Sequence, residues 1–184
     1  MGNKGIRIVL IVGALLSVLT LLSLASQDKY TLKVPGGLAF AEFKGYESWQ
    51  AVAMSRTKDV VAITVGNPAM IAAYRAGFPG NGKAAPDGAK MAKIHWAPKT
   101  NQFFPDTTVQ GKLLNVDFMV KDSTRFADSG GWGYGVFDYN PASDSFTPGT
   151  LADKPPQGND AKCGFACHTT AKARDYVFTD YGKR

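Results

Sequence analysis

Near its C-terminus the chain runs Cys163-Gly164-Phe165-Ala166-Cys167-His168, and it holds no further cysteine and one further histidine, His95. Two thiols followed directly by a histidine read as the attachment run of a c-type haem. The thiols add across the two vinyl groups of one porphyrin, and the adjoining imidazole becomes the proximal ligand of the iron. Three residues separate the thiols, one more than in the common form of the run. Two cysteines also leave open a redox disulfide or half of a zinc site. Zinc needs two more ligands, and only His95 and His168 are available as histidines. Under the haem reading, whatever the chain builds must enclose a flat prosthetic group beside residues 163–168.

Residues 1–25 read as an export signal. Lys4 and Arg7 form a basic start, an apolar stretch follows from Ile8 to Leu24, and Ser23-Leu24-Ala25 offers a small-x-small cleavage site. An uncleaved anchor is the alternative, because about 18 apolar residues just span a bilayer. Covalent haem attachment takes place outside the bacterial cytoplasm, so the two features agree on a periplasmic protein. Residues 26–184 then form a single domain large enough to enclose a cofactor. Of the 21 basic residues two lie in the signal, with no acidic one, so the net charge of +6 falls to +4. No basic stripe with interleaved aromatics is present, which argues against a nucleic-acid partner.

Residues 26–45 read as an extended lead-in with a turn at Pro35-Gly36-Gly37, and Tyr46 to Ala53 as a short helix or strand. The β-branched run Val60-Val61-Ala62-Ile63-Thr64-Val65 predicts a strand. Asn67-Pro68 predicts a helix start, with Asn67 as cap and Gly77 as stop. Ala89 to Trp96 and Leu113 to Val120 predict strands, with irregular chain from Pro98 to Gly111. In the second strand Leu114, Val116, Phe118 and Val120 share one face; Leu113, Asn115, Asp117 and Met119 share the other. Asp122 caps a short helix ended by Gly130-Gly131. Trp132 to Tyr139 predicts a strand whose Gly133 and Gly135 suit the approach of something flat. A proline-rich loop over 140–160, a helical turn and Tyr176-Val177-Phe178 complete the chain. The fold class is α+β: a β-rich antiparallel sheet with a few short helices and the haem motif at its C-terminal end.

Val120-Lys121-Asp122-Ser123-Thr124-Arg125-Phe126-Ala127, Gly131-Trp132-Gly133-Tyr134, the Cys163/Cys167/His168 run and Asp175-Tyr176-Val177-Phe178-Thr179 together resemble the cytochrome P-460 family. Tyr46-Glu47-Ser48-Trp49 and Val65-Gly66-Asn67-Pro68 resemble its early aromatic motif and its strand-to-helix turn. The resemblance implies one covalent haem c with five-coordinate iron, a homodimer, and a small redox partner such as a cytochrome. It also implies one of two activities. P-460 cytochromes oxidise hydroxylamine and carry a lysine bonded to a haem meso carbon. The related cytochromes c′-beta lack that bond and bind gases such as nitric oxide. An electron carrier with six-coordinate haem is a further alternative.

In the family the cross-linking lysine lies six residues after the Asp of an Asp-Gly pair, which here is Lys93 after Asp87-Gly88. Lys90, on the opposite strand face, is the spare. A solvent-facing lysine is the ordinary alternative for either. Active members resemble one another in a Glu four residues before the Lys-Asp pair; this chain has Asp117, one methylene shorter. A carboxylate there accepts protons from the substrate if it lies within hydrogen-bond reach. A half-exposed strand Asp is the alternative, although strands disfavour Asp. The expected site is therefore Asp117 and Lys93 as catalytic groups, Cys163, Cys167, His168 and Lys93 on the cofactor, and His168 on the iron. His95 shares a strand face with Lys93 and reads as a distal base, a sixth ligand or a rim residue. Phe103, Phe104, Phe118, Trp132, Tyr134 and Phe137 offer aromatic bulk for the pocket or for ordinary core, and Met119 reads as an iron ligand in principle or, more ordinarily, as core filler. Lys121, Asp122 and Arg125 read as a surface cap and ion pair.

Overall fold

A computed structural model describes residues 27–36, 38–152, 154–159 and 164–183. The signal segment 1–25 and Cys163 lie outside the described residues. The frame is one six-stranded antiparallel sheet in which every strand pairs with its sequence neighbour, in the order β1 to β6. The strands are β1 (Gln50–Arg56), β2 (Val61–Gly66), β3 (Lys90–Thr100), β4 (Thr108–Lys121), β5 (Trp132–Asn140) and β6 (Ser145–Pro148). The helices are short: α1 (Pro68–Arg75), α2 (Phe165–His168) and several single 3-10 turns.

The helix after β2 forms as its sequence dictates. Asn67 Oδ1 accepts the Met70 N–H at 3.0 Å, and Pro68 stands at the first turn, where no N–H is needed. The same Asn67 oxygen accepts the Lys90 N–H, and its amide donates to the Gly88 carbonyl, so one side chain ties the helix start to the start of β3.

Each face of the sheet carries its own core. Val65, Ala92, Phe118 and Gly135 stand side by side across β2 to β5. The first three pack with Val116, Val120 and Phe137 against the lead-in rings Phe40, Phe43 and Tyr46. On the opposite face Met91, Met119, Trp132 and Tyr134 pack against α1, Phe78, Ala85 and Val177 of the C-terminal segment. Alternation of side chains along β3 and β4 divides the two sets.

Three expectations are corrected. The lead-in is not extended but winds through 3-10 turns at Lys29–Thr31 and Phe40–Phe43. Asp28 caps the first, and the Glu42 side chain returns to the Ala39 N–H in the second. Pro98 to Gly111 is not irregular: β3 continues to Thr100 and β4 begins at Thr108. The register shifts between Trp96 and Pro98, which accommodates a residue lacking an N–H. At the hairpin tip Asn101 accepts the N–H groups of Phe103 and Phe104. The 140–160 loop contains β6, anchored by buried Phe146. The expectation of a flat group at Gly133 holds: the chain's own Phe126 ring occupies the space a Cβ would need.

Candidate functional site

The four residues of α2 end on His168, and the 3-10 turn Thr169–Arg174 follows at once. The chain then passes through two left-handed residues, Asp175 (φ 50) and Tyr176 (φ 62). That conformation is uncommon outside glycine and needs support from its surroundings. Support comes from two sides. Lys121 Nζ donates to Asp175 Oδ1 at 2.7 Å, and Asp175 Oδ2 accepts the Ala85 N–H at 2.9 Å. The Tyr176 ring lies on Gly130, where a side chain would collide with it. The result is a carbonyl aimed at the imidazole: Tyr176 O faces His168 Nδ1 at 2.6 Å. A carbonyl only accepts, so Nδ1 carries the proton and Nε2 carries the lone pair that a metal takes. The ring is flanked by Tyr134 at 5.0 Å and Phe178 at 4.8 Å between centroids.

A cavity of about 290 Å³ separates this segment from the sheet. Cys167, His168 and Phe178 line one wall, and Thr64, Met91, Lys93, Asp117, Met119 and Tyr134 contribute to the other. Lys93 and Asp117 are direct cross-strand partners, with Thr64 beyond Lys93 and Val136 beyond Asp117. Asp117 Oδ1 accepts the Asn115 amide at 3.0 Å. Its Oδ2 is buried without a hydrogen bond and faces His95 Nδ1 at 3.6 Å. The Tyr134 hydroxyl is likewise buried without a partner. Burial, with lesser contributions from Tyr176 and Asp175, pushes that phenol far above its ordinary value.

The fold thus brings Lys93, Asp117, Cys167 and His168 to one cavity. It does not bring Lys90, which leaves from the opposite face and donates to the Glu42 carbonyl at 2.6 Å. His95 is buried behind Asp117, and among the described residues it does not line the cavity. Of the aromatic candidates Tyr134 forms wall; Phe118 touches the cavity, but its ring is stacked on Phe43 at 4.1 Å. Trp132 and Phe137 are ordinary core, and Phe103 and Phe104 stand exposed at the hairpin tip. Lys121 is corrected from surface to interior: it is 5 % exposed, paired with Asp175 and bonded to the Gly130 carbonyl. Asp122 caps the N–H of Arg125, and Arg125 pairs with Glu42. Sequence reasoning missed the chain of support from Lys121 through Asp175 and Tyr176 to His168. Its available signal was the alternation that puts Lys121 in phase with Asp117 and Met119.

The donor set suits a haem. An oriented imidazole and a thiol lie on one wall, and the opposite wall carries apolar surface, one lysine and one acid. Apolar side chains at the mouth, Met54 and Phe178, are left to solvent. Among the described residues no group of three or more His, Cys, Asp or Glu side chains could hold a bare metal ion. No curated protein matches the chain with significant similarity. The family model for Cytochrome P460 matches residues 43–179, a span that includes the strands, both helices and every residue of the cavity wall. That family implies a haem with its iron, which is the group this cavity suits, and the chain belongs to the Cytochrome P460 family.

Proposed function

We propose that the protein is a periplasmic mono-haem c cytochrome that oxidises hydroxylamine, exported by residues 1–25 and folded as one domain over 26–184. Cys163 and Cys167 hold the haem covalently, and His168 binds its iron through Nε2. The carrying observation is the opposition of two walls. His168 and Cys167 stand on one; Lys93 and Asp117, side by side, stand on the other.

When bound, the haem supplies an open coordination position and one-electron redox chemistry. The chain supplies the rest. The Tyr176 carbonyl fixes the His168 tautomer. Asp117 offers Oδ2 as acceptor for protons leaving the substrate, while Asn115 holds its other oxygen. Lys93 would stand with its amine on the cavity wall, where the ring edge of a bound haem would meet it. Met91, Met119 and Phe178 keep the cavity largely apolar, which strengthens each polar contact inside it. Electrons leave singly to a small redox partner such as a cytochrome, and the working unit is a homodimer.

The test is absorption spectroscopy of the reduced holoprotein with hydroxylamine turnover. A far red-shifted Soret band that disappears in Lys93→Ala is the expected result. Asp117→Ala is expected to lower turnover by roughly 100-fold with haem retained, the lower range for a positioned acid or base. An ordinary high-spin spectrum with no turnover would replace this reading with a nitric oxide binder of the c′-beta kind. Sharp low-spin bands would replace it with an electron carrier.

A further inference from the structure

His95 is 7 % exposed, and its Nδ1 is buried with no hydrogen bond. It faces Asp117 Oδ2, also buried and unbonded, across 3.6 Å. Two buried polar atoms left without partners cost stability. A small approach that brings the pair into hydrogen-bond reach, with one proton between them, removes both deficits. His95 is absent from the cavity wall, and its Nδ1 faces the wall residue Asp117.

We propose that His95 is a positioning residue for Asp117: it holds the carboxylate toward the cavity and takes over the proton that Asp117 receives there. The proposal deepens the hydroxylamine reading and rests on it for the source of the protons. Hydroxylamine carries protons on nitrogen and on oxygen. When one such N–H or O–H bond breaks, the proton goes to Asp117 Oδ2. The bonding electrons leave through the haem to an external one-electron acceptor. The proton then moves on to His95 Nδ1, turning imidazole into imidazolium and returning Asp117 to the carboxylate form for the next transfer. A lone aspartate stores one proton; the pair stores it one step away from the substrate.

The groups facing His95 are few. Lys93 stands on the same strand face, and Asn115 of β4 is its direct partner, followed by exposed Asp138 of β5. On its other side β2 presents uncharged Ala62 and Thr64, and β1 presents Ser55 opposite Ala62. The C-terminal segment brings Cys167 and His168 to the far wall. Asp117 faces His95 at 3.6 Å.

The test uses the holoprotein, wild type against His95→Gln and Asp117→Asn. Its first readout needs no substrate: the haem midpoint potential against pH. A proton taken up with each electron lowers the potential by about 59 mV for each tenfold fall in proton concentration. The wild type is expected to show a slope toward that limit. Both variants are expected to be flat. A variant that keeps the wild-type slope overturns the proposal, and Asp117→Asn carries the test alone if His95→Gln yields no holoprotein. The second readout is turnover: His95→Gln is expected to lower kcat about 10-fold or more with KM unchanged, and a kcat equal to wild type overturns the proposal. Absence of turnover in the wild type would sink the hydroxylamine reading, while the slope still decides the pair.

Discussion

On one face of the sheet the Phe40 ring meets Phe118, Phe137 and Phe146 edge-on at 4.9–5.2 Å, and Phe43 stacks on Phe118. Polar groups at the margin of that face are paired: Glu42 with Arg125, Lys90 with the Glu42 carbonyl, Lys29 with Glu47. The other face is built differently. Among the described residues the buried side-chain nitrogen and oxygen atoms without a hydrogen bond are His95 Nδ1, Asp117 Oδ2, Trp132 Nε1 and Tyr134 Oη. All four lie on the cavity face, at alternate positions of β3, β4 and β5. Native interiors rarely leave such atoms unpaired, and each one needs a reason. One face is finished by its own side chains; on the other, two of the four unpaired groups, Asp117 and Tyr134, border the cavity.

The largest effect that tests this contrast concerns the buried pair that supports the segment carrying His168. Lys121→Met strips Asp175 of its partner in the interior, where removal of one member of a buried pair costs about 3–5 kcal/mol. Urea denaturation measures the loss, and the double variant Lys121→Met/Asp175→Asn is expected to regain part of it. The same substitution also frees the Tyr176 carbonyl, so the holoprotein's haem absorption is expected to shift. A variant as stable as wild type and spectrally unchanged would show that the pair neither supports the chain nor aims His168.

What could be read beforehand divides along the same line. The alternation from Asn115 to Val120 separated Phe118 from Asp117 correctly, but the expected faces of Leu113 and Leu114 are reversed: a register shift there turns Leu113 to the Phe118 core and leaves Leu114 exposed. The Asn67-Pro68 start was legible because cap and first turn are local chemistry. The β3–β4 hairpin was not, since Pro98 and the polar residues 99–102 mask strands held together by cross-strand pairing, a non-local term. Lys121 was misread because a lysine's burial depends on Asp175, 54 residues away. His95 could be given a face but not a partner: its approach to Asp117 depends on how the β3–β4 register shifts at His95/Trp96.

A smaller effect sharpens the contrast by its sign. The Tyr134 hydroxyl is buried beside the His168 ring without a partner. Tyr134→Phe removes an unsatisfied group, so protein prepared without haem is expected to be unchanged or more stable by about 1 kcal/mol. In the holoprotein, where the haem completes the cavity, the same change is expected to cost about 1 kcal/mol. Denaturation curves for both forms measure the two values. The same sign in both would mean that the hydroxyl is an ordinary core defect and that the second face is not completed by its cofactor.

The smallest effect belongs to the finished face. Burial pushes the Glu42 carboxyl up, but the Arg125 guanidinium, the Ala39 N–H and Lys90 outweigh it and hold the group below its usual value. Since the folded state binds the proton less readily than the unfolded chain, the contribution is complete above the unfolded value. It fades as the pH falls through the lowered one. The pair is partly open to solvent, with side chains 33 % and 26 % exposed, so the stake is below about 1 kcal/mol. Stability measured at pH 7 and at pH 3 is expected to drop by that much more in wild type than in Glu42→Gln. Added salt should narrow the gap, as it does for exposed charges. Equal drops in both proteins would mean that this margin is held by Phe40, Phe43 and their ring contacts alone, and that pairing of its charges contributes nothing to closing the face.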